Sequence, residues 1–249
     1  MPDMIRLDML RQLQLWDLGG IEQHWSVRQS ARARRLSVRV FRNGGVEIVV
    51  PLRTSAHRVS TFVSEHREWI ERQRKRAVPH VDWPLPPATL TLSAMEEEWR
   101  CDVAAGEGRT RLRQVADNTL QLKGASLDRD EVRQLFMRWL VRHAADRFEA
   151  PLRALAQKMA LTAGKLQIRC QRTRWGSCSR IGTISLNVCL LFQRPEVLQY
   201  LMIHELSHIR HMNHSERFWA EVARHEPNWK SLDRELQQGW RRVPSWIFR

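Results

Sequence analysis

No stretch of the 249-residue sequence approaches the ~20 consecutive apolar residues that a membrane-spanning helix needs, which excludes a helical membrane protein. The opening residues, MPDMIRLDMLRQLQLWDLGG, carry Asp3, Asp8 and Asp17 and lack the apolar run of a secretory signal. Export is therefore not expected. Cysteine is scarce: Cys101, Cys170, Cys178 and Cys189 make no Cys-x-x-Cys pair. Without an export signal such thiols are expected to stay reduced, in a cytoplasmic protein without disulfides. Acidic residues are outnumbered, 27 against 41 Lys and Arg, for a net charge of +14. That balance suits polyanions such as nucleic acid, anionic lipid or acidic substrates, and equally a solvated basic surface. There is no internal repeat and no low-complexity tract.

What is present reads as an α+β chain with a β-rich N-terminal half. Residues 1–25 look like a short amphipathic arm. A β-rich region is expected over 26–125 and a second, more helical region over 126–249. LSVRVF alternates, Asn43-Gly44-Gly45 marks a turn, and VEIVV continues to Pro51, which together predict a hairpin. A helix is expected after Ser55, its N-cap, with Val59, Phe62, Val63, Trp69 and Ile70 inward. VPHVDWPLPPATL reads as a proline-rich connection. The segments ATLTLSA, EEWRCDVAA, TRLRQVA and NTLQLKG predict four short strands. Helix is expected from Asp128 to about Leu161, with Pro151 kinking or restarting it. A strand, KLQIRC, and two more flanking Gly182 follow. Pro195 then suits the first turn of a helix.

That last helix contains HELSHIRHMNH, residues 204–214. His204 and His208 are i and i+4, so both imidazoles lie on one helix face and can reach a single cation. Glu205 lies beside them, free to handle a proton of water without occupying a coordination position. The third ligand is open. His211 shares the face, but seven residues of helix span about 10.5 Å, too far for one ion that His208 also binds. His214 reaches if the helix stops near Met212-Asn213, Asn213 taking a left-handed conformation. The spacing then matches that of metzincins, with His211 at their glycine position. Glu221 or Glu226 is the acidic alternative. Geometry favours His214.

Beyond this cluster the chain resembles the YgjP-like metal-dependent hydrolases, relatives of the SprT-like and WLM zinc peptidases. The resemblance rests on Arg174-Trp175-Gly176-Ser177-Cys178, on Gly182 through Asn187, on His204 to His208, and on Asn213-His214-Ser215 followed by Phe218-Trp219. ARARRLSVRV and the Asn43-Gly44-Gly45 turn extend it toward the N-terminus, so that it spans about 27–235. It implies a zincin-like fold, one zinc ion on His204, His208 and His214, and catalytic Glu205.

The remaining motif residues suggest contacts to substrate. Arg174 can hold a carboxylate, Trp175 offers a flat wall, and Gly176 permits close backbone approach. Asn187 and Tyr200, the latter one turn before His204, complete the substrate-binding set, with loop fixing and core packing as their alternative roles. Cys178 reads as a packed thiol, and Phe218 and Trp219 as packing after the third ligand. The expected function is a zinc-dependent hydrolase acting on polypeptide. Two other readings stay open: a hydrolase of nucleoside triphosphates or other phosphate substrates, and a nucleic-acid-binding protein with a structural zinc. The last draws on Arg32, Arg34, Arg35, Arg39 and the basic run at 71–76, and needs a fourth ligand such as Cys178 or Cys189. Oligomeric state is not legible.

Overall fold

The computed structural model describes residues 25–41, 45–75 and 84–248. Residues 1–24 of the arm expected over 1–25, and Asn43 and Gly44 of the hairpin turn, lie outside them. The chain divides into two units, residues 1–80 and 81–249.

In the first unit β1 (Trp25–Ser30), β2 (Ser37–Val40) and β3 (Val46–Pro51) form one sheet with β3 in the centre. β2 and β3 make the expected antiparallel hairpin. β1 lies on the other side of β3, parallel to it. Val46, Ile48 and Val50 share one face of β3 and bury it against Val59, Val63 and Ile70. These three lie on α1 (Ala56–Glu65) and α2 (Arg67–Lys75). Ser55 caps α1 as expected, its side chain accepting from the Arg58 N–H. The single helix expected here is broken at His66, whose N–H closes the end of α1. The break turns Trp69 outward, 40% exposed, where helical spacing had placed it inside.

In the second unit β4 (Thr89–Leu92), β5 (Glu97–Ala105), β6 (Arg111–Ala116) and β7 (Thr119–Gly124) are the four expected strands, in the order β4-β5-β7-β6. Their apolar face, with Leu90, Leu92, Trp99, Leu120 and Leu122, belongs to the same core as the helices that follow. The structural division thus falls at 80/81, whereas the change of character in the sequence lies at 125/126. The sheet cannot bury its apolar face without α3 (Arg129–Lys158). Asp128 caps α3 through its side chain. Val132, Phe136, Leu140, Ala144, Phe148, Leu152 and Ala156 form a stripe at every fourth residue, all buried. Each large member contributes about 1.5–3 kcal/mol on burial. That stripe continues on both sides of Pro151, and the helix runs through the proline without ending.

A smaller sheet, β8-β10-β9, follows: β8 (Leu166–Arg169), β9 (Gly176–Cys178) and β10 (Ile184–Asn187). Gly182 has φ +76°, the left-handed turn between β9 and β10 that a side chain would strain. Then come α4 (Pro195–Ser207), α5 (Glu216–His225) and α6 (Trp229–Gln238). Pro195 opens α4 as expected. The helix is buried on nearly every side, from Val197 to Ser207. A helix enclosed in this way carries its polar residues into the interior, and Glu205 is one of them.

Candidate metal centre

α4 brings His204 and His208 to its C-terminal end, one turn apart. The helix stops at Ser207 with His208 as its cap, earlier than the expected Met212-Asn213. Consecutive N–H groups of Ile209, Arg210 and His211 donate back to Leu206 and Ser207 in a series of tight turns. Asn213 is not left-handed. The reversal still delivers His214. The ring nitrogens of His204, His208 and His214 offer three ligand atoms within 4.8 Å of one another. Nε2 of His204 and Nε2 of His214 are 3.2 Å apart.

His211 is not in this group. Its carbonyl accepts from Nδ1 of His208 at 3.0 Å. A carbonyl can only accept, so Nδ1 carries the proton and Nε2 keeps the lone pair that a metal needs. Glu221 pairs with Arg210, and Glu226 accepts from the Asn228 N–H, so neither acid joins the triad. Arg210 also donates to the carbonyls of Met159 and Ala160 beyond α3, which pins the turn after His208 to that helix end.

Burial, and then the neighbouring His208 and His214, push the His204 pKa down to about 3. Burial lowers His208 as well. Both shifts favour the neutral ring, the form whose free lone pair can bind a metal. Glu205 is 3% exposed, and burial pushes its pKa up to about 8. Its Oε2 is buried without a hydrogen-bond partner, as is Nδ1 of His204. A buried carboxyl oxygen and a buried imidazole nitrogen, both without partners, leave polar groups unsatisfied in the interior. The three histidines form a donor set of the kind that can hold a divalent cation, and nitrogen donors suit zinc.

The structure places the other expected residues as follows. A Cβ on Gly176 would fall 2.5 Å from Oε1 of Glu205, so only glycine lets β9 lie against that carboxyl group. Trp175 stacks on Trp240, ring centroids 4.0 Å apart. Asn187 donates from one side-chain nitrogen to the carbonyls of Gln171 and Arg174, both at 2.7 Å, and accepts from the Cys189 N–H. It thereby clamps the loop that leads into β9. Arg174 is exposed. Tyr200 is buried and donates to Oδ1 of Asp233 on α6 at 3.0 Å, so its hydroxyl is committed to holding α4 on α6. Burial and then the Asp233 charge raise its pKa. The Cys178 thiol is pushed up to about 11 by burial and then by Glu205, and it is not among the ligand atoms.

Packing around the imidazoles was only partly anticipated. Phe218 is fully buried and stacks on His208 at 4.5 Å, with edge contacts to His204 and His214. Trp219 stacks on exposed His214 at 5.6 Å and on Trp229 at 4.2 Å. Asp233, as the partner of Tyr200, had no signal in the sequence, since an acid on a surface helix is commonplace. Gly176 did carry one: a glycine inside a strand marks close approach.

The profile of the YgjP-like, metallopeptidase domain family matches residues 34–239. The chain belongs to the YgjP-like metallopeptidase family. A YgjP-like metallopeptidase is a metal-dependent hydrolase of polypeptides, and the histidine group lies within the matched residues. Solved structures also match, among them two metallopeptidase zymogens. The metallopeptidase zymogen abylysin of Pyrococcus abyssi is 28% identical over 38% of this chain and 97% of its own, with a TM-score of 0.35. The zymogen jannalysin of Methanocaldococcus jannaschii is 19% identical over 37% of this chain and 95% of its own, with a TM-score of 0.34. No curated protein sequence matches. Among the described residues no helix is long and apolar enough to cross a membrane.

Proposed function

We propose that this YgjP-like chain is a zinc peptidase in which His204, His208 and His214 hold one ion and Glu205 is the catalytic base. The observation that carries the reading is the convergence of three histidine nitrogens within 4.8 Å, one of them on the residue before Glu205, whose buried Oε2 has no partner. When bound, the ion supplies Lewis acidity toward water and toward a peptide carbonyl. Glu205 takes a proton from the attacking water and returns it to the leaving nitrogen. Gly176 leaves that carboxyl group room to do so. The β9 edge, entered from exposed Arg174, provides backbone groups for an extended polypeptide. Trp175, Asn187 and Tyr200 support the walls of the site through the contacts described above.

No fourth protein ligand joins the three histidines among the described residues, and all four cysteines are free. An open position suits catalysis better than a closed structural site. Free thiols fit a reducing compartment such as the cytoplasm. No feature of the triad favours a phosphate substrate.

The test has two arms. Metal content is measured for the wild type and for His214→Ala and His211→Ala. The expected result is loss of metal in the first variant and retention in the second. Hydrolysis of an unfolded protein and of nucleoside triphosphates is then followed with and without chelator. Glu205→Gln is expected to keep its metal and lose proteolysis by about 10²–10⁴-fold. Full turnover by that variant, or chelator-sensitive hydrolysis of nucleotides alone, rejects the reading.

A further inference from the structure

A second charged feature lies on different elements, β6 and β7. Their paired faces, with the turn before β6, line a cavity of about 370 Å³ bounded by Glu107, Arg109, Arg111, Arg113, Gln121 and Lys123. In the antiparallel ladder Arg111 stands directly opposite Lys123, and Arg113 opposite Gln121. Like charges directly opposite one another destabilise a sheet. Among the described residues no carboxylate forms an ion pair with Arg111, Arg113 or Lys123, while Arg109 meets Glu131 at 3.8 Å. The cradle is also shaped. A Cβ on Gly106 would fall 2.6 Å from Cγ of Lys123, so glycine there lets the lysine stem lie flat over the turn. That turn is tied down by the Ala125 N–H donating to Gly108 and by the Thr110 hydroxyl donating to Ser126.

We propose that this face is a docking site for an acidic, extended segment of polypeptide, an exosite of the peptidase and thus dependent on that reading. Three observations select this occupant. β6 is an edge of its sheet among the described residues, so its outer backbone groups can pair with an added strand. Arg111 and Arg113 alternate on β6, about 6.8 Å apart, which is the repeat of an added strand with acidic residues at alternate positions. The lining holds no aromatic ring on which a base could stack.

The experiment uses the full chain carrying Glu205→Gln, so that no peptide is cut. Labelled peptides with Glu at alternate positions, with Glu in one block, and with Lys at alternate positions are titrated, alongside an oligothymidylate. The alternating Glu peptide is expected to bind best and to weaken with salt. Arg111→Gln with Arg113→Gln is expected to weaken it at least about tenfold, and Arg111→Lys with Arg113→Lys to preserve most of the binding. Arg111→Gln alone is expected to leave the melting temperature unchanged or raised, since it relieves the clash with Lys123. The inference is overturned by absence of peptide binding, by equal binding in the double Gln variant, or by tighter binding of the oligothymidylate. Hydrolysis of an uncharged peptide by the wild type reports on the peptidase reading separately.

Discussion

The triad is held differently at each of its residues. His208 has a hydrogen bond at its second nitrogen, from Nδ1 to the His211 carbonyl. His204 has a buried Nδ1 with no partner and is confined instead by Phe218 and Tyr200. His214 is exposed and leans on Trp219, which leans on Trp229. Stacking therefore does for His214 what a hydrogen bond does for His208. Trp219→Ala is expected to weaken zinc binding about tenfold, the range for residues that orient a ligand, while Trp219→Phe keeps most of the affinity. Competition with a chromophoric chelator measures this directly, and unchanged affinity in Trp219→Ala would remove the role. Gly176→Ala makes a complementary case. Its Cβ would have to displace the Glu205 carboxyl group, at a cost of about 1–3 kcal/mol. Activity is expected to fall far more than zinc affinity, because Glu205 is not a ligand in the proposed site.

At the scale of elements, α4 is the piece that has to be held still. Arg194, at its N-terminal boundary, donates from Nε and Nη2 to the two carboxylate oxygens of Glu235 on α6, and Arg242 adds a third contact. The hydrogen bonds from Arg194 hold the Glu235 pKa below its ordinary value. A depressed carboxylate stabilises the fold above its unfolded pKa, and that contribution is lost as pH falls through the folded value. The loss thus begins near pH 4.5 and deepens below it. Glu235→Gln is expected to cost about 0.5–1 kcal/mol at pH 7 and to flatten the acid limb of a stability-versus-pH curve. A variant curve parallel to the wild type would contradict this. The elements themselves were legible where the signal is local. Ser55, Asp128 and Pro195 each mark a helix start by the chemistry of the first turn. The partners of strands were not legible: nothing in Trp25–Ser30 says that it lies parallel to β3. The early stop of α4 was missed for a related reason. It is set by turns at 208–211 and by Arg210 gripping the end of α3, both of which exist only in the folded chain.

At the scale of the whole molecule, two apolar cores divide the chain. The smaller joins β3 to α1 and α2; the larger joins the four-stranded sheet, α3, the small sheet and α4 to α6. The alternation of strands made the N-terminal half look continuous. Core membership depends on which apolar faces meet across long separations, and a hydrophobic pattern cannot state that. His204 and His208 could be read because i, i+4 is a local relation, whereas His214 required a guess about where a helix ends. The two cores lead to one physical expectation. An ion that binds only the folded triad stabilises the unit that contains it by RT ln(1 + [L]/Kd), about 2.7 kcal/mol at a hundredfold excess over Kd. The smaller core contains no triad residue and gains nothing by this route. Calorimetry of the full chain is therefore expected to show zinc raising the main transition, the one that buries His204, while a lesser transition from the first unit stays in place. With His214→Ala, the main transition should no longer move. If both transitions rise together with zinc, the two cores melt as one cooperative structure, and the division at residue 80 has no thermodynamic meaning.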